Sequence, residues 1–241
     1  MKTFLVNLDE DVERFLAADA QLKRYGLVYE RFPAVNGKKL AKEEKEQVVN
    51  KFRWWCAIGW PVSDGQIGCA LSHYGIYRRM LAERLPFVCI FEDDVSITKD
   101  INSVLNVIER TISPDRPQVI LLSDHNVDHR SVMESAEVRL VRTRNDQYAE
   151  GYVITLPAAR NLLKANFPLQ RPCDNWKRWV AAGLIELYHA YPITCSQNRV
   201  DFTSSTVPPD SFAVADLPPL RFALHKMKRC IGRLLDRVMP V

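Results

Sequence analysis

Short runs rich in β-branched and aromatic residues alternate along the chain with longer segments in which apolar residues recur every three or four positions. The first pattern is typical of buried strands and the second of helices packed on one face. The predicted strands cover residues 2–6, 28–32, 87–91 and 118–123. The predicted helices cover residues 10–25, 63–85, 100–112 and 175–183. Asp9 is expected to cap the first helix, with Val12 and Leu16 on its buried face. The alternation predicts an α/β fold.

The run at residues 87–91 leads directly into three carboxylates, Glu92, Asp93 and Asp94. A run this apolar predicts a central strand buried on both faces, and ligands of open α/β sheets bind at the carboxyl ends of such strands. Three adjacent negative charges at that place indicate a bound cation. Glu92 and Asp94 are therefore the expected ligands of Mg²⁺ or Mn²⁺, which retains coordination sites for phosphate oxygens. The alternative is that the acids only keep the strand end soluble.

Two common phosphate-binding motifs are missing from the sequence. Neither G-x-G-x-x-G nor G-x-x-x-x-G-K-[ST] occurs. If a nucleotide binds, its diphosphate must be neutralised by a metal ion and by side chains, which again points to residues 92–94.

The apolar stretches and the cysteines predict the cellular location of the protein. The 241 residues are 47% hydrophobic and 26% charged, as in a globular protein, and no stretch reaches the roughly 18 apolar residues of a membrane span. We expect a cytoplasmic protein, since the first residues lead directly into a strand and not into a signal sequence. The cysteines show no C-x-x-C pair, which predicts buried thiols in a reducing compartment. They are Cys56, Cys69, Cys89, Cys173, Cys195 and Cys230.

The basic character of the chain is confined to its end. Six bases and one acid give residues 220–241 a charge of +5, so that the rest of the chain, whose total is +4, carries −1. A nucleic-acid-binding protein would carry its bases on the folded body, so this class loses support. Residues 220–241 have the pattern of a basic amphipathic helix after a proline-rich linker at 207–219, which predicts a membrane-associating segment. The alternative is a helix docked on the domain.

Four motifs in one order and spacing resemble glycosyltransferase family 25, the lipooligosaccharide galactosyltransferases of Gram-negative bacteria. They are F-L-V-N-L-D at 4–9 with Glu13-Arg14, F-P-A-V-N-G at 32–37, G-Q-I-G-C-A-L-S-H at 65–73, and F-E-D-D-V at 91–95. The resemblance extends over residues 1–205. It implies a GT-A-like, Rossmann-type nucleotide-sugar-binding domain at residues 1–206.

The resemblance also implies an activity and a set of site residues. Family members use a UDP-sugar, usually UDP-galactose, with a divalent cation, and invert the anomeric carbon. Glu92 and Asp94 match the metal positions of the family's D-x-D motif. The residues expected to bind the nucleotide sugar are Asn7, Leu8, Arg14, Val35, Asn36, Ser72, His73, Asp93 and Gln197. For His73 the alternative is a structural histidine.

Inverting transfer requires a carboxylate that takes the proton of the acceptor hydroxyl. Asp174, in a segment that matches the family pattern, is the candidate base, and the alternative is that it caps the following helix. His189 or Gln197 is expected to complete the metal shell. Two histidines and two aspartates at residues 124–129 are a further candidate metal site, in a segment that otherwise has the composition of a polar loop.

The expected function is hexose transfer onto a lipid-linked lipooligosaccharide acceptor at the cytoplasmic face of the inner membrane. Residues 148–150, Y-A-E, depart from the family pattern and leave the sugar and the acceptor open. The alternatives are a UDP-glucose or other UDP-hexose donor, a metal-dependent phosphohydrolase or nucleotidyltransferase, and a degenerate member that binds sugar or a partner protein without catalysis.

Overall fold

The computed structural model describes residues 1–98, 100–123 and 138–198. The candidate metal residues at 124–129, the linker at 207–219 and the basic segment at 220–241 lie outside these ranges, so the predictions made for them stay predictions. The strands are β1 (Lys2–Asn7), β2 (Glu30–Pro33), β3 (Phe87–Glu92), β4 (Val95–Ile97), β5 (Gln118–Leu121), β6 (Arg139–Thr143), β7 (Gly151–Thr155), β8 (Glu186–Tyr191) and β9 (Cys195–Gln197). The helices are α1 (Val12–Arg24), α2 (Lys42–Val48), α3 (Lys51–Ile58), α4 (Asp64–Glu83), α5 (Ile101–Thr111), α6 (Leu156–Ala165) and α7 (Trp176–Ala181), with a 3₁₀ turn at Gly37–Lys39.

Strands and helices alternate around one mixed sheet, which confirms the α/β fold. The strand order is β2-β1-β3-β7-β5-β8-β6. β1 runs parallel to β2 and β3, and β5 runs parallel to β8, whereas β7 is antiparallel to β3 and β5, and β6 is antiparallel to β8. β4 and β9 form a separate antiparallel pair.

The described residues fall into two compact units. The first contains Met1–Ala34, Ser72–Leu163 and the described residues from Asp174 onward, and the second contains Val35–Leu71 and Lys164–Cys173. The core of the first unit packs β3 against α1 and α5, and Cys89 and Phe91 of β3 are fully buried there. β3 pairs with β1 on one side and β7 on the other, as predicted for a central strand.

Helix α1 differs from its prediction. Asp11, not Asp9, occupies the N-cap position, because the Asn7 amide donates a hydrogen bond of 3.0 Å to the Asp11 carbonyl and holds the chain in a turn for two further residues. The residues of α1 that face the core are Phe15, Ala18 and Leu22, three and four positions apart. Val12 and Leu16, which were expected on the buried face, are more than half exposed at 55% and 56%.

The second unit depends on a close backbone approach at two glycines. A Cβ on Gly68 would lie 2.4 Å from the carbonyl oxygen of Val35, and a Cβ on Gly37 would lie 1.9 Å from that of Asp64. Atoms cannot approach so closely, so only glycine fits at either position. Trp54 of α3 is buried, whereas Trp55 and Trp60 are partly exposed. Of these three tryptophans, Trp54 is the one that lies in the core.

Among the described residues, every helix is either too short or too polar to cross a bilayer.

Candidate active site

The parallel pairing of β1 and β3 brings the first unit's polar residues to one edge of the sheet. Val6 is in register with Glu92, so both strands end together, and Asn7 and Asp93 follow directly. The Asn7 amide donates a buried hydrogen bond of 2.8 Å to Oδ2 of Asp93. Nε of Arg31 in turn donates to Oδ1 of Asn7 at 3.0 Å, which fixes the orientation of the amide.

Arg14 of α1 lies between two of the carboxylates. Its Nη2 is 3.0 Å from Oδ2 of Asp94, and its Nε is 3.1 Å from Oδ1 of Asp93 in a charge contact. Burial raises the pKa of the Asp93 carboxyl, while the Arg14 charge and the Asn7 hydrogen bond lower it. One guanidinium thus offsets part of the repulsion between neighbouring acids.

The two carboxylate oxygens of Asp94 differ in their contacts. Gln197 donates a hydrogen bond of 2.9 Å from its side-chain amide to Oδ2 of Asp94, and the backbone NH of Asn198 donates to the Asp94 carbonyl at 2.6 Å. The pairing of β4 with β9 sets this contact by placing Gln197 opposite Val95. Oδ1 of Asp94 is buried and has no hydrogen-bond partner in the described part of the chain. A buried carboxylate oxygen in this state fits a cation ligand, because leaving it unsatisfied is costly.

Glu92 is engaged by a chain of buried side chains. Nε2 of His73 lies 2.9 Å from Oε1 of Glu92, and Nδ1 of the same ring lies 2.8 Å from the Tyr152 hydroxyl. The Tyr152 hydroxyl is in turn 2.8 Å from that of Tyr77. Burial raises the pKa of the Glu92 carboxyl, and the contact with His73 opposes that rise. His73 therefore orients Glu92 within the site.

Asp174, the candidate base, lies beside the loop that precedes β7. Its Oδ2 accepts a hydrogen bond of 3.1 Å from the backbone NH of Tyr148, and Nε1 of Trp176 donates to the Tyr148 carbonyl at 2.7 Å. Burial raises the pKa of the Asp174 carboxyl. Asn175 occupies the N-cap position of α7, so the capping role considered for Asp174 is not the one it has.

Two buried carboxylates of this loop were not singled out from the sequence. The Glu150 carbonyl accepts the backbone NH of Glu92 at 3.0 Å, its side chain is buried, and its charge raises the pKa of both Glu92 and Asp174. Oδ2 of Asp146 lies 3.1 Å from Nε2 of His189. The only sequence signal for this loop was its departure from the family pattern at 148–150.

The remaining predicted residues are distributed as follows. Both ring nitrogens of His189 are engaged, Nδ1 at 2.8 Å from the Ser123 carbonyl and Nε2 at 3.1 Å from Asp146. Of the two candidates for completing the metal shell, it is Gln197 that contacts Asp94, one of the expected metal ligands. Leu8 contributes a backbone carbonyl to the turn before α1, and Ser72 is buried in the first unit. Val35 and Asn36 belong to the second unit, where Asn36 accepts the backbone NH of Lys38 at 2.9 Å.

Comparison with known proteins shows the family to which the chain belongs. The model of glycosyltransferase family 25 (LPS biosynthesis protein) matches residues 1–176. This chain belongs to glycosyltransferase family 25. Known relatives include a glycosyltransferase 25 family member of Drosophila pseudoobscura pseudoobscura, 29% identical over 74% of this chain and 31% of its own length.

Other relatives in the family differ in their described activity. Procollagen galactosyltransferase 1-A of Xenopus laevis is 26% identical over 93% of this chain and 36% of its own length. The inactive glycosyltransferase 25 family member 3 of Homo sapiens is 28% identical over 49% of this chain and 20% of its own length. The chain thus spans about a third or less of the length of these relatives. A solved structure of CMP:2-keto-3-deoxy-manno-octonic acid synthetase complexed with CTP is similar at 13% identity, covering 98% of this chain and 82% of that one, with a TM-score of 0.32.

Proposed function

We propose that this family 25 glycosyltransferase transfers a hexose, galactose in the leading case, from a UDP-sugar to an acceptor hydroxyl with inversion at the anomeric carbon. The observation that carries the proposal is the unsatisfied, buried Oδ1 of Asp94 within the acidic edge of the sheet. Membership of the family and the similarity to a procollagen galactosyltransferase support it.

Asp94 and Glu92 are the residues that would hold a divalent cation, Mn²⁺ or Mg²⁺. Oδ1 of Asp94 is a buried oxygen without a hydrogen-bond partner in the described part of the chain, whereas Oε1 of Glu92 contacts His73. When bound, the ion would neutralise the diphosphate of the donor and of the leaving UDP. Arg14 and Asn7 hold Asp93 and Asp94 in place beside it.

Asp174 is the proposed base of the transfer step. The acceptor oxygen forms a bond to the anomeric carbon, the bond from that carbon to the UDP oxygen breaks with its electron pair, and the acceptor proton passes to the Asp174 carboxylate. The backbone NH of Tyr148 holds this carboxylate by a hydrogen bond, and the hydrogen bond from Trp176 to the Tyr148 carbonyl holds Tyr148 in turn.

The acceptor we propose is a lipid-linked lipooligosaccharide on the cytoplasmic face of the inner membrane, reached through the basic segment at residues 220–241. Deletion of that segment is expected to abolish sedimentation with anionic liposomes and to leave transfer to a soluble acceptor largely intact. Unchanged sedimentation would contradict the membrane role.

The proposed transfer is tested by thermal shift and turnover with UDP-galactose, UDP-glucose and UDP-N-acetylhexosamines, with and without Mn²⁺. We expect UDP-galactose with Mn²⁺ to give the largest stabilisation and turnover. Asp94→Asn should lose both, and Asp115→Asn, a change at an exposed acid, should keep both. Stabilisation without turnover on any donor or acceptor would instead favour a non-catalytic sugar-binding member, the second candidate, which the similarity to inactive relatives supports.

A further inference from the structure

Two thiols of the second unit lie side by side. The sulfurs of Cys69 and Cys173 are 3.8 Å apart although the residues are 104 positions apart in the sequence. Cys69 lies on α4 and is partly exposed, whereas Cys173 is buried. The contact thus joins a partly exposed cysteine to a buried one.

The segment that carries Cys173 is fixed within the second unit. Asn166 closes it with three hydrogen bonds, accepting from the backbone NH groups of Gln170 and Arg171 at 2.9 and 3.1 Å and donating to the Arg171 carbonyl at 3.0 Å. The backbone NH of Leu169 donates to the Val48 carbonyl at 2.7 Å. These bonds hold the approach to Cys173 in one conformation.

The backbone next to Cys69 is equally constrained. Gly68 packs so closely on Val35 and Gly37 that an added Cβ would lie 2.4 Å from the Val35 carbonyl oxygen and 2.8 Å from the Gly37 nitrogen. Because the backbone is constrained at both cysteines, the contact between the two sulfurs is set by the fold.

The remaining cysteines of the described residues provide a contrast. Cys56, Cys89 and Cys195 are buried at 2%, 0% and 1% exposure. Burial raises the pKa of Cys89 and Cys195, which keeps these thiols protonated and unreactive. Of the five cysteines in the described residues, Cys69 alone is partly exposed, and its sulfur contacts that of Cys173.

We propose that Cys69 and Cys173 form a site of reversible oxidation that hydrogen peroxide converts into an intramolecular disulfide. The Cys69 thiolate attacks a peroxide oxygen, which breaks the O–O bond and gives a sulfenic acid and, after protonation, one water. The Cys173 sulfur then attacks the Cys69 sulfur and displaces the second water. The two thiols lose two electrons and two protons, and the peroxide is reduced to two waters.

The two sulfurs need to move little to form the disulfide. A disulfide bond is about 2.0 Å long, so the sulfurs need to approach by about 1.8 Å, within reach of side-chain rotation and a small backbone adjustment. A dithiol reductant restores both thiols by exchange. The inference goes beyond the proposed transferase activity, since the oxidation involves the two thiols and a peroxide and no nucleotide sugar.

The test is mass spectrometry of the reduced full-length chain treated with increasing hydrogen peroxide. We expect a loss of about 2 Da, reversed by dithiothreitol, at peroxide concentrations that leave the buried cysteines unmodified. Combined cleavage after Lys and Arg and before Asp isolates residues 64–78 and 165–173, each with one cysteine. These two peptides should be recovered as one cross-linked species without reduction.

Serine variants separate this pair from the others. Cys69→Ser and Cys173→Ser should each abolish the 2 Da loss, and Cys56→Ser should retain it. Absence of the loss in the wild-type chain, or a cross-link that contains any other cysteine, Cys230 included, would overturn the proposal.

Discussion

Nε2 of His73 lies 2.9 Å from Oε1 of Glu92, so a histidine predicted to be among the nucleotide-sugar-binding residues contacts one of the predicted metal ligands. The ring is fixed from its other side by the Tyr152 hydroxyl at 2.8 Å. Partners of this kind orient a metal ligand and set its basicity. The contact therefore fixes the orientation of the Glu92 side chain before any ligand binds.

Tyr152→Phe tests this preorganisation. The variant removes the hydroxyl that orients His73 while keeping the buried ring, so the fold should persist and the affinity for Mn²⁺ should fall about tenfold or more. Mn²⁺ titration followed by electron paramagnetic resonance measures the change. Tyr188→Phe, which removes a hydroxyl directed to Glu186, is the matched control and should bind Mn²⁺ as the wild type does. Equal affinity in both variants would contradict the positioning role of His73.

Arg14→Gln tests the charge balance at the acidic edge. The change leaves Asp93 and Asp94, both largely buried, without their shared cation, so the free energy of unfolding should fall by about 3–5 kcal/mol at neutral pH. Urea unfolding measures it. Added Mn²⁺ should raise the melting temperature more in the variant than in the wild type, because the ion replaces part of the missing charge. Arg110→Gln, at an exposed position, should unfold as the wild type does, and an equally stable Arg14→Gln would contradict the bridging role.

The pH dependence of transfer tests Asp174 as the base. Because burial raises the pKa of its carboxyl, the ionised form that accepts a proton is lost at a pH above the ordinary value of about 3.9. The rate should therefore fall as the pH is lowered through that raised pKa and be restored as it rises. Asp174→Asn should bind donor but transfer slowly at every pH. Rapid transfer by this variant would place the base elsewhere.

Two glycines of α4 give a matched test of packing in the second unit. Gly68→Ala and Gly75→Ala bring the same gain in helix propensity, but the new methyl of the first meets a carbonyl oxygen at 2.4 Å whereas that of the second meets the ring edge of Phe32 at 2.8 Å. Backbone cannot yield as a side chain does, so Gly68→Ala should lower the free energy of unfolding by about 1–3 kcal/mol relative to Gly75→Ala. Denaturant unfolding of both variants measures the difference. A Gly68→Ala variant as stable as Gly75→Ala would show that the approach is looser than described.

The strand that ends in the acids could be predicted from sequence because its pattern is local. Residues 87–91 are apolar without interruption, and parallel pairing then brings Asn7 to the same edge as Asp93. Gln197 was likewise expected beside the acids, and it bonds to Asp94. These contacts could be predicted because they involve residues at or next to the ends of strands.

The rest depended on pairing between distant segments. Glu150 reaches Glu92 only because β7 is antiparallel to β3, a relation that periodicity does not encode. Tyr148 adopts a φ of 74°, rare for a residue with a side chain, and so presents its NH to Asp174. The start of α1 was misplaced because the Asn7 side chain, and not the local sequence after it, decides where that helix begins.

The most direct test of the central claim is Mn²⁺ binding in the presence and absence of UDP, measured by electron paramagnetic resonance on the full-length chain. We expect one site whose affinity increases when UDP is added and falls at least about tenfold, or about 1.4 kcal/mol, in Asp94→Asn, with Asp115→Asn unchanged. Binding that is identical in wild type and Asp94→Asn, or no binding with UDP present, would contradict the assignment of this edge as the cation and diphosphate site.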